Sequence, residues 1–389
     1  MTHALDLHLT EAQRGLYCHT RGVAREELRQ IARRGQQGRV NRDLIAALAE
    51  HGLLARLFPG ERDASATDLC LIREALAREC TEAETAFALQ GLGAYPILQN
   101  GAEDLREQWI PRVADGSAVA GFALTEPDAG SDAAALSLHA EPEPGGDGWR
   151  LHGDKLWISN APEADIYTVF ARTGEGRGAR GVSAFAVPGD SDGLSGEPLA
   201  LLAPHAIGSL HFDGVRVDRG QLLGEPGGGF RVAMRTLDLF RPSVGAFGVG
   251  MARAALDLAT DHALARQTFG KPLAEHQAVS HRLADISTRV EAARLLVHWA
   301  AAAHDAGIPD ARLAAMAKLL ATETAQEAVD AAVQFHGARA LEQGHELEHL
   351  YREVRAPRIY EGASEIQREI IARELFRAAQ ARRAETDAR

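Results

Sequence analysis

Val119-Ala120-Gly121-Phe122, running almost directly into Leu124-Thr125-Glu126-Pro127-Asp128-Ala129-Gly130-Ser131-Asp132, is where the periodicity of this chain changes. On its N-terminal side, apolar residues recur at three- and four-residue steps, predicting helices over about 42–54, 66–80, 84–98 and 103–113. Thr10 and Gln13 form a capping-box pattern ahead of the first helix. On its C-terminal side come short runs of β-formers, Ile166-Tyr167-Thr168-Val169-Phe170 and Phe185-Ala186-Val187 among them, separated by turn clusters such as Pro144-Gly145-Gly146-Asp147-Gly148. The β-character lasts to about Val217. After Gly227-Gly228-Gly229 the helical period returns: Leu283, Ile286, Val290, Ala293, Val297 and Ala300 make one apolar stripe, with Arg282, Arg289 and Arg294 expected off it. The fold class that follows is α+β, mainly α. It has an N-terminal helical domain over 1–117, a small barrel- or sandwich-like β-domain over 118–225 and a C-terminal four-helix bundle over 226–389. The Ala- and charge-rich tail from Ala378 is expected to fray.

Composition narrows the function. The 389 residues are 46% hydrophobic and 25% charged, enough apolar material for a large core. Lys and Arg number 42 against 54 Asp and Glu, a net charge of -12, which argues against nucleic acid or an anionic membrane as the partner. No apolar run approaches the roughly 18 residues of a membrane span. Met1-Thr2-His3-Ala4-Leu5-Asp6 has no basic segment leading into an apolar one, so the expectation is a cytoplasmic protein. Cys18, Cys70 and Cys80 lack CxxC spacing and read as reduced thiols.

Five stretches have the residue types that chemistry needs. The polar loop 124–132 offers hydroxyls and backbone N–H groups close to a ligand, or it is turn chemistry alone. Lys155-Leu156-Trp157-Ile158-Ser159-Asn160 sets a large ring two residues from a hydroxyl, so a strand would present Trp157 and Ser159 on one side, although a half-buried strand Trp also fits. Ala265-Arg266-Gln267-Thr268-Phe269-Gly270-Lys271-Pro272 breaks two long helices with a cation and a hydroxyl suited to phosphate, or is an ordinary turn between helices. Gln334-Phe335-His336-Gly337 interrupts another helix. Arg358-Ile359-Tyr360-Glu361-Gly362-Ala363 places a carboxylate at a turn, where desolvation suits a general base. His345-Glu346-Leu347-Glu348-His349 matches HExxH, but with 16 histidines an accidental match is expected and no third metal ligand stands out. Gly245-Ala246-Phe247-Gly248-Val249-Gly250 lacks a preceding strand, so close helix packing explains it better than a dinucleotide loop.

In this order and at this spacing, the segments resemble the acyl-CoA dehydrogenase family of flavoproteins from about residue 40 to 377. The resemblance implies FAD between the β-domain and the bundle, reaching into a neighbouring subunit of a dimer or tetramer. It implies that Phe122, Leu124, Thr125 and Ser131 edge the isoalloxazine and the thioester, and that Trp157 and Ser159 cover the flavin. Arg266, Thr268, Phe269 and Gln277, with Gln334 and Gly337, would contact the adenosine diphosphate half. Substrate would meet Ser131, Arg241, Tyr360 and Gly362. Glu361 would be the base, since the alternative position used by some members is Phe240 here. The implied reaction converts a saturated acyl-CoA to its trans-2-enoyl-CoA, passing electrons to an electron-transferring flavoprotein. Other expectations are an acyl-carrier-protein-bound substrate, or a flavin oxidase or monooxygenase of the same fold. The chain departs from the pattern at Ala338, Ala363 and Pro204-His205-Ala206-Ile207-Gly208-Ser209, which bears on cofactor affinity and acyl group.

Overall fold

The computed structural model describes residues 9–60, 63–174 and 178–387. They divide into two compact units, one drawn from residues within 9–21, 65–81 and 238–387, the other from described residues within 22–64 and 82–237.

The second unit is built on the β-region. Six helices precede it in the chain: α1 Glu11–Val23, α2 Arg29–Arg34, α3 Arg42–Glu50, α4 Ala66–Glu79, α5 Thr81–Asn100 and α6 Glu103–Ala114. The strands are β1 Ala120–Ala123, β2 His139–Pro142, β3 Gly148–Ser159, β4 Ile166–Arg172, β5 Val182–Pro188, β6 Leu194–Ser195 and β7 Ile207–Asp218. They form one seven-stranded sheet in the order β1-β4-β2-β3-β7-β6, with β5 paired to β4. β1 runs parallel to β4 and β3 antiparallel to β7. β4 and β5 are buried almost end to end, their apolar residues interrupted only by the buried hydroxyls of Thr168 and Ser183.

α5 lies directly on this sheet because it carries glycine at the crossing. A Cβ on Gly93 would meet the backbone nitrogen of Gly121 at 2.7 Å. Gln90 closes the contact, donating to Ala118 O and accepting from Ala120 N at 2.8 and 2.9 Å. The start of β1, and so the loop that follows it, is pinned by the helix.

The first unit is helical: α7 Gly229–Ala265 from Asp238 onward, α8 Gln277–Asp305, α9 Ala311–His336, α10 Glu346–Glu353 and α11 Ser364–Asp387, joined by α4. The expected stripe on α8 is the one that packs, with Ile286, Val290, Ala293 and Val297 at 1–2% exposure. Gly245, Gly248 and Gly250 let α7 approach its neighbours, since added Cβ atoms would meet Val297, Ala321 and Glu74 at 2.8, 3.1 and 2.5 Å. Close packing is therefore their role.

Two expectations are corrected. Arg294, expected off the buried stripe, is itself buried at 2% exposure, because its Nε donates at 2.9 Å to the carboxylate of Glu74, which is fully buried on α4. Arg253 also reaches Glu74 at 2.7 Å. Burial alone would raise Glu74, but Arg294, His298 and Arg253 outweigh it and hold the carboxyl far below its ordinary value. The tail, expected to fray, is helical to Asp387 as part of α11. The capping box forms as its spacing predicts: Thr10 N donates to Gln13 Oε1 at 2.9 Å and Gln13 N to Thr10 Oγ1 at 3.2 Å.

Candidate active site

The loop after β1 is organised by a buried ion pair. Glu126, 3% exposed, accepts from Ser137 N, Ser137 Oγ and Leu138 N at 2.6, 2.8 and 2.9 Å. Its fourth donor is Lys155 Nζ at 2.8 Å, which also donates to Leu124 O at 2.9 Å. Burial alone would raise Glu126, but Lys155 holds it below its ordinary value. Burial in turn lowers the Lys155 ammonium to about 8, against the opposing pull of Glu126. Leu124 and Thr125 are thereby fixed in front of β3, and Leu156 N donates to Thr125 O at 3.0 Å.

β3 is not a straight strand here. Its register against β7 slips between Lys155 and Ile158, and Trp157 sits in the left-handed region at φ 57°. This bulge turns the indole outward, 49% exposed, while Lys155 and Ile158 on either side are buried. Trp157 and Ser159 both stay accessible, flanking buried Ile158. Phe122 on β1 packs against Phe170 at 4.9 Å between ring centres, and Ser131 lies exposed farther along the loop.

In the helical unit, Gln267–Thr268 and Lys271–Pro272 form a small hairpin, β8 and β9. Phe269 and Gly270 at its tip both have positive φ, 50° and 81°, which suits a two-residue turn in a right-twisted hairpin. Arg266 and Thr268 line a cavity of about 390 Å³ together with His262, His336, Gly337 and Arg339. The His262 and His336 rings stack at 4.0 Å. Burial lowers His262, helped by His336, Arg266 and Arg339, so the cavity's positive charge rests on the two guanidiniums. Phe269, Gln277 and Gln334 are exposed and do not line it.

Glu361 lies in the turn before α11. It has φ 50° and Gly362 has φ 92°, two consecutive left-handed residues. The turn is held from below by Lys318 on α9, 1% exposed, whose Nζ donates to Tyr360 O at 2.6 Å and to Gly362 O. Gln367 donates to Gly362 O at 2.8 Å and Glu361 O at 3.4 Å. Burial lowers Lys318 to about 8, a fall that Glu361 opposes and Arg241 reinforces. The Glu361 Oε2 atom is buried with no hydrogen-bond partner among the described residues. Arg241, 7% exposed, binds Asp238 at 2.6 Å and leaves its Nε without such a partner.

The HExxH stretch makes a helix cap. His345 is the N-cap of α10, its Nδ1 accepting Leu347 N at 3.1 Å, while His349 Nε2 faces Thr81 Oγ1 at 2.6 Å. The two imidazoles do not share a helix face. Lys155, Glu126 and Lys318 were not singled out from sequence. The available signal was a lone cation in an apolar run, as in Ala314-Ala315-Met316-Ala317-Lys318-Leu319-Leu320-Ala321.

Three family models match the chain in order: acyl-CoA dehydrogenase N-terminal domain over 10–117, middle domain over 121–215 and C-terminal domain over 227–376. A relative, the cyclohexane-1-carbonyl-CoA dehydrogenase of Geobacter metallireducens, is 36% identical over 349 residues, 88% of this chain and 91% of that one. The structure of butyryl-CoA dehydrogenase from Megasphaera elsdenii superposes with a TM-score of 0.89 at 31% identity, covering 95% of this chain and 100% of that one. The FAD complex of PigA superposes at 0.88 with 29% identity over 95% and 99%. The chain belongs to the acyl-CoA dehydrogenase family. It is an oxidoreductase acting on acyl-CoA, and its cofactor is FAD. The residues fit that cofactor: a half-exposed indole on a rigid bulge offers a face to a planar ring, and the cavity with Arg266 and Arg339 offers paired cations to a diphosphate. Among the described residues, no helix is long and apolar enough to cross a membrane.

Proposed function

We propose that the protein dehydrogenates a saturated acyl-CoA thioester to the trans-2-enoyl-CoA, with Glu361 removing the α-proton. The observation that carries this reading is the carboxylate itself: a fixed left-handed turn holds Glu361, and its Oε2 is buried with no hydrogen-bond partner among the described residues. An acceptor atom held out of water and left free to accept a proton suits a general base. Bound FAD supplies the acceptor for the β-hydride. Phe122, Leu124, Thr125, Ser131, Trp157 and Ser159 serve the ring end of that cofactor. Arg266, Thr268, Phe269, Gln277, Gln334 and Gly337 serve its adenosine diphosphate end, in the family's manner from a partner subunit. Arg241, Tyr360, Gly362 and Ser131 face the substrate. The three-part division at 1–117, 118–225 and 226–389, a homo-oligomer, a cytoplasmic location and re-oxidation by an electron-transferring flavoprotein complete the proposal.

The test is Glu361→Gln. The purified variant should remain yellow and bind acyl-CoA yet lose turnover by about 10³-fold or more, because an amide cannot accept the proton. Anaerobic bleaching at the wild-type rate would remove Glu361 from this role.

A further inference from the structure

The three successive carbonyls of the turn that carries Glu361 are all engaged by two side chains. Lys318 Nζ takes Tyr360 O at 2.6 Å and Gly362 O, and Gln367 Nε2 takes Gly362 O at 2.8 Å and Glu361 O at 3.4 Å. In a planar trans peptide, the C=O of one residue and the N–H of the next point in opposite directions. Anchoring the Tyr360 carbonyl on Lys318 therefore sends the Glu361 N–H to the far side of the turn. Anchoring the Glu361 carbonyl on Gln367 does the same for the Gly362 N–H. A cation on a carbonyl oxygen also draws charge along the peptide and makes the attached N–H a stronger donor.

We infer that Lys318 is a positioning residue that fixes and polarises the backbone N–H of Glu361 as the donor to the substrate's thioester carbonyl. This inference rests on the reading of Glu361 as the base. Nothing but the peptide lies between the ammonium and that N–H, and the ammonium is too deeply buried to reach substrate itself. Its role is electrostatic and conformational. It stabilises a backbone that holds a non-glycine residue at φ 50°, a conformation that L side chains rarely adopt, and it prepares the donor before the enolate charge develops. The charged groups acting on Lys318 are Glu361, which favours the ammonium, and Arg241, which opposes it.

The test uses the flavin-loaded enzyme and an enoyl-CoA of the chain type it dehydrogenates fastest, labelled with 13C at the thioester carbonyl. Infrared difference spectra should show the bound carbonyl stretch shifted down from its value in solution in the wild type, and equally in Glu361→Gln. In Lys318→Met, at least half of that shift should disappear, while kcat falls roughly 10²-fold and KM changes less than about threefold, as for loss of one preorganised donor. Lys318→Arg, which retains a cation, should recover part of both. If the Met variant does not fold, Lys318→Gln, which keeps a donor and loses the charge, carries the same test. An unchanged carbonyl stretch in a folded Lys318 variant, or wild-type kcat, overturns the inference. A fully active Glu361→Gln variant overturns the base assignment and is read separately, from turnover.

Discussion

Lys155 Nζ and Glu126 Oε1 lie 2.8 Å apart with side chains 0% and 3% exposed, joining strand β3 to the loop that follows β1. A pair this dry is a weak source of net stability, because desolvating both ions offsets most of their attraction. Its consequence is specificity of position: the same ammonium holds Leu124 O, so the loop has one place to sit.

Removing one partner should therefore be costly. Lys155→Met leaves a buried carboxylate with only neutral donors and is expected to destabilise the sheet-containing unit by about 3–5 kcal/mol. Glu126→Gln should be costly as well, because it keeps one acceptor oxygen and turns an NH2 group toward two of the four donors, either Ser137 N and Oγ or Leu138 N and Lys155 Nζ. Denaturant unfolding followed by Trp fluorescence measures both. Equal midpoints for Lys155→Met and wild type would show that the pair does not organise this loop.

What could be read from the chain alone follows from how local each signal is. The change of period near Val119 is a property of neighbouring residues, and β1 forms there. The β-run at Ile166 and the α8 stripe are local in the same sense, and both appear. Arg294 was misplaced because its burial depends on Glu74, 220 positions away, which no periodicity encodes. Lys318 escaped notice for the same reason, since its partners are backbone carbonyls 42 and 44 residues later. Trp157 and Ser159 were legible as residue types, but the bulge that turns the indole outward comes from β3's register against β7. The HExxH pattern shows the converse failure: its spacing suggests a shared helix face only if the helix includes His345, and it begins one residue later.

Asp305 gives a pH dependence with a defined sign. At the end of α8 it caps α4, accepting from Ser65 Oγ, Ala66 N and Thr67 N at 2.8, 2.7 and 3.0 Å. Burial alone would raise it, but His304, Thr67 and Ser65 outweigh this and bring it down to about 2. A carboxyl held below its unfolded value of about 4 contributes stability above that value and loses it as pH falls through the folded one. Asp305→Ala should cost about 1 kcal/mol at neutral pH, a modest figure because the group is partly solvated. The difference between variant and wild type should shrink between about pH 4 and pH 2. Thermal unfolding across that window tests it, and a gap that widens on acidification would rule out the cap as its source.

Arg266 tests the assignment of the cavity. His262 is kept toward its neutral form by burial and by the positive charges around it, so Arg266 and Arg339 supply the charge that a diphosphate would meet. A charge-assisted hydrogen bond of this kind is worth about 2 kcal/mol, so Arg266→Ala should raise the FAD dissociation constant about thirtyfold. Phe269, 97% exposed at the hairpin tip, does not line the cavity and meets His276 only edge-on at 6.3 Å between ring centres. Phe269→Ala should therefore retain FAD in the isolated chain, and should weaken it only where a partner subunit's cofactor reaches the tip. Equilibrium dialysis monitored by flavin fluorescence, run at concentrations above and below oligomer dissociation, separates these cases. Arg266→Ala that stays fully yellow after exhaustive dialysis would move the diphosphate site away from this cavity.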